Sequence, residues 1–227
     1  MRKRSLVTMI GSLALVGALG VGATLAYLSD KADDLTNTFT FTSAGIGIAL
    51  DEADVDDVTN QEQFDADGKS VRTAEGATQN YENIIPGMTI HKDPTVTVKA
   101  NSLNCNVFVS VQNANAAEVL TIGEMGTWTE VNPADYGFTA ADDTTYYVYS
   151  GDNATGTVEE NDAFKVVATS ATDTVLDDVF EKVTFSGTIN ADTVFENIVI
   201  KAAAVQADYC SDEDAAKTAL GMLVVAE

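Results

Sequence analysis

The 227-residue chain holds one histidine, two cysteines, three prolines and one tryptophan, and its 12 lysines and arginines face 35 aspartates and glutamates. Each scarcity excludes something. A formal charge of −23 leaves no basic surface to displace counterions from a phosphate backbone, so nucleic acid is not a partner. With His91 the sole histidine, the two-histidine H-E-x-x-H zinc helix cannot form. A Ser-His or Cys-His hydrolase would also have to use His91, and no nucleophile elbow stands near it; the chain reads as a non-enzyme, with His91 an exposed turn residue. Few prolines and 7% aromatics, beside abundant Asp, Thr, Ala and Val, favour strands and polar turns over a helical bundle.

The charge that is present is unevenly placed. Arg2, Lys3 and Arg4 form a basic start, and from Ser5 to Ser29 there is no charge at all. Leu6, Val7, Met9, Ile10, Leu13, Leu15, Val16 and Leu19 make an apolar run, the pattern of an export signal. Thr24 and Ala26 occupy the −3 and −1 positions of a signal-peptidase site, so cleavage is expected after Ala26, with a mature chain starting at Tyr27. The uncharged run is also long enough for an uncleaved anchor, against which stand Gly11, Gly17, Gly20 and Gly22 and the acids Asp30, Asp33 and Asp34. The expected organisation is a signal peptide over 1–26 and a single secreted, extracellular or cell-surface domain over 27–227, touching membrane only through the uncleaved signal.

Phe39 and Phe41 alternate with Thr38, Thr40 and Thr42, and Ile46, Ile48 and Leu50 alternate after Gly45, the period of two half-buried strands. Residues 51–72 are acidic and polar and read as an exposed insertion. A Pro86-Gly87 turn precedes Val96 and Val98; further strands are expected over 107–111, 128–131, 146–149, 164–168, 183–189 and 198–205. Eight or nine short strands with polar connections give an all-β sandwich. Two short helices are expected. One places Val175, Leu176, Val179, Phe180 and Val183 at helical spacing, and the other opens at Ser211 and carries Ala215, Ala216, Ala219, Leu220 and Leu223.

Two further features bear on chemistry. Cys105 and Cys210 suit either a disulfide, worth roughly 4 to 5 kcal/mol for a loop of about 100 residues, or a pair of buried thiols. Asp65-Ala66-Asp67-Gly68 begins like a calcium loop, but Lys69 replaces the next oxygen ligand and no Glu closes an EF-hand, so Asp65 and Asp67 are weak calcium candidates and no cofactor is expected.

Three islands carry a resemblance to a known family. The run Gly22-Ala23-Thr24-Leu25-Ala26-Tyr27-Leu28-Ser29-Asp30 with Thr36-Asn37-Thr38-Phe39-Thr40-Phe41, the run Ile85-Pro86-Gly87-Met88 with Lys92-Asp93-Pro94-Thr95-Val96-Thr97-Val98, and the late strand 198–206 together resemble the TasA/camelysin family of biofilm-matrix proteins. The middle of the chain, 107–197, carries no motif of that family. The resemblance implies a jelly roll, processing by a dedicated SipW-type signal peptidase, and fibre assembly in which the freed N-terminal segment adds as a strand to the next subunit. The donor would be Tyr27, Leu28, Leu35, Phe39 and Phe41. It leaves two other readings: a monomeric surface adhesion module, and a camelysin-like metalloprotease, which the single histidine opposes.

Overall fold

The computed structural model describes residues 45–73, 77–155, 164–208 and 210–224. The strand expected over 38–42 and the signal-peptide residues lie outside them. The order is β1 (Ile48–Asp51), β2 (Thr89–His91), β3 (Thr95–Val98), β4 (Cys105–Asn113), β5 (Leu120–Ile122), β6 (Trp128–Val131), β7 (Thr144–Tyr149), β8 (Ala154–Thr155), β9 (Val166–Val167), β10 (Thr174–Val175), β11 (Lys182–Phe185), β12 (Ile198–Gln206) and α1 (Asp212–Leu223). The fold is the expected all-β, jelly-roll-like sandwich, with one α-helix and a single 3-10 turn, Pro133–Tyr136, among the described residues.

One sheet is built on β4, which pairs β12 along nine residues on one edge and β7 on the other, with β6 beyond β7 and the short β9 and β8 continuing past Cys105. The facing layer comes in two pieces, β1-β3-β10 and β2-β11-β5. They are halves of one layer, because β2 runs into β3 through Lys92-Asp93-Pro94 and β10 into β11 through 176–181. Backbone bonds cross that break: Lys92 N–H to Glu181 O at 3.1 Å, Val179 N–H to Pro94 O at 2.8 Å and Leu176 N–H to Val96 O at 2.9 Å. Pro94, which has no N–H to give a ladder, sits at the interruption.

Strand alternation divides β4 between two cores. Cys105, Val107, Val109 and Val111 face the second layer and meet Ile90, Val96, Val98, Leu176, Val179, Phe180 and Val183. Phe108 faces the other way, joining Val131, Tyr146, Val148, Ala203 and Val205 beneath the Ala215, Ala216, Ala219, Leu220 and Leu223 face of α1. Small alanines let the helix approach the sheet closely. Ser211 caps it, its hydroxyl accepting from Asp214 N–H at 3.2 Å, and Asp212, Glu213 and Asp214 lie at the positive end of its dipole.

The helix expected over 175–183 does not form. Val175 and Thr174 pair with β3, Lys182–Phe185 pairs with β2 and β5, and the residues between cross the break with bends at Val179 and Glu181. Leu176, Val179 and Phe180 are buried there while Val175 is exposed, so their helical spacing reflects positions in a bent strand. His91 is likewise a β2 residue and not a turn residue. The Pro86-Gly87 turn is formed, with Gly87 at φ 77° and Met88 N–H bonded to Ile85 O at 3.1 Å.

Candidate functional site: an open-edged cleft

The outer edge of β12 has no strand partner among the described residues, which leaves nine residues of alternating backbone donors and acceptors. Across from it, β1 pairs with β3 but ends at Asp51, opposite Thr95, so β2 is uncovered on that side. Because Met88 O and Lys92 N–H bond to the β11 side, alternation turns the backbone groups of Thr89 and His91 toward the open edge. Between these two edges lies a cleft of about 730 Å³.

About half of its lining is apolar, including Leu50, Ile84, Ile90, Leu120, Val183, Phe185, Ile198 and Ile200. Phe195 packs edge-on against Phe185, with centroids 5.4 Å apart, and lines the cleft while partly exposed, as does Val199. Polar side chains share the lining, among them Asp51, Thr73, Gln79, Asn80 and Glu196, and Lys92, Glu52 and Tyr81 are grouped together. Lys92 Nζ contacts the Glu52 carboxylate, with side chains only 9% and 14% exposed, and lies 5.4 Å from the centroid of the Tyr81 ring. The Tyr81 hydroxyl is buried and has no hydrogen-bond partner. Burial first, and then the charges of Glu52 and Asp93, push its pKa well above the ordinary tyrosine value.

The acidic insertion is tied down at its base. Bridges Ala53–Arg72, Val55–Glu62 and Phe64–Ser70 fold it on itself, and Ala53 and Val55 are buried, although Phe64 stays 59% exposed. Arg72 donates from Nε to Asp51 Oδ1 at 2.8 Å and from Nη1 to Asp93 Oδ2, while Asp93 Oδ1 accepts from Ala53 N–H at 2.6 Å. His91 Nε2 lies 3.7 Å from Asp93 Oδ2 and 3.9 Å from Glu62 Oε2. Gln79 completes the attachment, bonding Val55 N–H and Ala53 O at 2.9 and 2.7 Å. The sequence shows only the polarity of this segment, since the residues anchoring it are up to 40 positions away.

Thr24, Ala26, Tyr27, Leu28, Leu35, Phe39 and Phe41 lie outside the described residues. Asp65 Oδ1 accepts from Asp67 N–H and Lys69 N–H, both at 2.9 Å, so that carboxylate closes its own turn, with Gly68 at φ 77°. Asp67 is exposed on the same turn. Cys105 and Cys210 are both free thiols, and the bridge between them is not formed. Cys105 points into the core between the sheets, whereas Cys210 packs with the cluster under α1, on the other face of β4 and β12.

Tyr81, Lys92 and Glu52, which meet at the cleft, were not separable by sequence reasoning from a polar linker and a surface charge pair. No protein-family model, curated protein or solved structure matches the chain.

Proposed function

We propose that this chain is a secreted structural subunit that polymerises by strand addition, the segment from Tyr27 to Phe41 of one copy entering the cleft of the next after cleavage behind Ala26. The observation that carries this reading is the cleft itself: a slot with an apolar half to its lining, bounded by the free edge of a nine-residue strand. Such an edge binds an extended peptide through main-chain hydrogen bonds, with alternate side chains filling the slot. Phe39 and Phe41 alternate with threonines as that requires.

The described chain begins at Gly45, whose carbonyl accepts from Leu103 N–H at 3.4 Å, beside the turn from β3 to β4. The cleft opens at the opposite end of the sandwich, where Ile198 pairs with Asn113. A head-to-tail contact between such ends is heterologous, and it propagates as a filament where its rotation does not close a ring. The resemblance to the TasA/camelysin family is consistent with a fibre of this kind, with a SipW-type peptidase releasing the donor.

Electron microscopy and size-exclusion chromatography of protein starting at Tyr27, beside a version lacking residues 27–37, test the reading. Filaments from the first and monomers from the second are expected. Monomers from both would leave a solitary surface module.

A further inference from the structure

We propose that the strand added from a second copy runs antiparallel to β12, with its uncharged residues 35–43 along the free edge and its Asp30, Asp33 and Asp34 carried past the Gln206 end. This rests on the strand-addition reading above and gives that strand a direction.

The tether of the donor makes direction and assembly one question. Gly45 sits at the Gln206 end of β12: its carbonyl accepts from Leu103 N–H, and the next residue's neighbour, Asn104, accepts at its carbonyl from Ala207 N–H at 2.8 Å. A strand leading into Gly45 along the β12 edge of its own copy would therefore run from Ile198 toward Gln206, parallel to β12. Two copies that exchange such strands reciprocally keep that polarity and close as a dimer. A copy docked by its Gly45 end against the Ile198 end of the next reverses it. Residue 44 then lies beside Ile198, and the strand runs against the direction of β12.

The acceptor favours the reversed direction. Along β12 the cleft reaches only Ile198, Val199 and Ile200. Residues 35–43 equal the nine residues of β12 in number. Laid end to end antiparallel, they set Phe41 opposite Ile200, in the cleft, with Phe39 next along the same face; laid parallel, they set Asn37 there and carry both rings past the cleft. Charge acts in the same sense. Glu82 and Glu196 line the cleft, and neither is in an ion pair among the described residues. The parallel strand would put Asp33 opposite Glu196, and like charges so juxtaposed oppose binding. The antiparallel strand holds its acids at the far end, and its ladder is the slightly more stable of the two.

The test is disulfide trapping in the chain starting at Tyr27, with Cys210→Ser and with Cys105 left in the core. Val199→Cys is combined in turn with Thr36→Cys, Thr38→Cys, Thr40→Cys or Thr42→Cys, since facing positions on paired strands come within bridging distance. Filaments are oxidised and then separated without reductant. Thr40→Cys or Thr42→Cys should give a ladder of covalent multimers that collapses on reduction, and Thr36→Cys and Thr38→Cys should give none. A ladder from Thr36→Cys or Thr38→Cys, a product that stops at the dimer, a bond within one chain, or no bond in any filament overturns this placement while leaving the filament itself in place. A chain starting at Tyr27 that never forms filaments removes the strand-addition reading and the direction with it.

Discussion

The Tyr149 hydroxyl donates to Asp177 Oδ2 at 2.7 Å, and this bond ties the crossing segment of one layer to β7 of the other. Trp128 Nε1 reinforces it by donating to the carbonyls of Asp177 and Asp178, each at 3.1 Å, and packs edge-on against Tyr149 with centroids 5.0 Å apart. Burial, aided by Asp177, pushes the Tyr149 pKa up to about 12.

Gly151 permits that bond. A Cβ there would stand 2.3 Å from Asp177 Oδ2 and 2.4 Å from Tyr149 Oη, so Gly151→Ala must push the pair apart. A loss of about 1–3 kcal/mol is expected in urea unfolding, in the range for overpacking. Wild-type stability in this variant would show that the loop yields freely.

Asp178 sets an acid-side pH dependence. Burial first, then the charges of Asp93 and Glu181, hold its carboxyl above the usual range, against Thr95 and Arg72, which pull it down. A raised carboxyl favours the protonated folded state. Its contribution is therefore fully present below the unfolded value of about 3.9 and is lost as pH rises through the folded value. Asp178→Asn keeps an oxygen for the Thr95 hydroxyl, 2.9 Å away in the native chain. It should be more stable than wild type at neutral pH and equal to it near pH 3, a difference that unfolding curves at the two pH values measure directly.

Arg72 neutralises Asp93, which is largely buried, and orders the insertion above it. Arg72→Met leaves that carboxylate unpaired and should cost about 3 kcal/mol, in line with breaking a buried pair. Limited proteolysis should then cut within 53–72 first. Cleavage elsewhere at the wild-type rate would contradict the anchor.

The two thiols should react in order. Burial pushes Cys105 up to about 11, and it lies in the core between the sheets, while Cys210 is partly exposed. A thiol reagent should label Cys210 in the folded protein and Cys105 only after denaturation. Two thiols in the denatured chain are expected, and none would establish a bridge.

Legibility in the sequence followed the range of the interactions. The strands at 107–111, 128–131 and 198–205 are marked by alternation, and α1 by a cap, acids in its first turn and an apolar stripe, all local signals. The segment 175–183 shows the same spacing as α1 yet is not helical, because Val179 N–H finds Pro94 O and Trp128 takes the carbonyls of Asp177 and Asp178, partners from distant parts of the chain. The cleft was hidden for the same reason. Glu52 and Lys92 meet across the whole insertion, and Tyr81 stands in a polar run with nothing in its neighbours to mark it as packed against a core.

β4 lies in the middle of three layers, with odd-numbered side chains in one core and Phe108 in the other. A strand shared in this way couples the melting of both. The helix cannot detach as a separate subdomain without exposing Phe108 on the back of the sheet that the valines hold from the front. The molecule should therefore unfold in a single cooperative transition, with the amides of β4 the last to exchange with solvent.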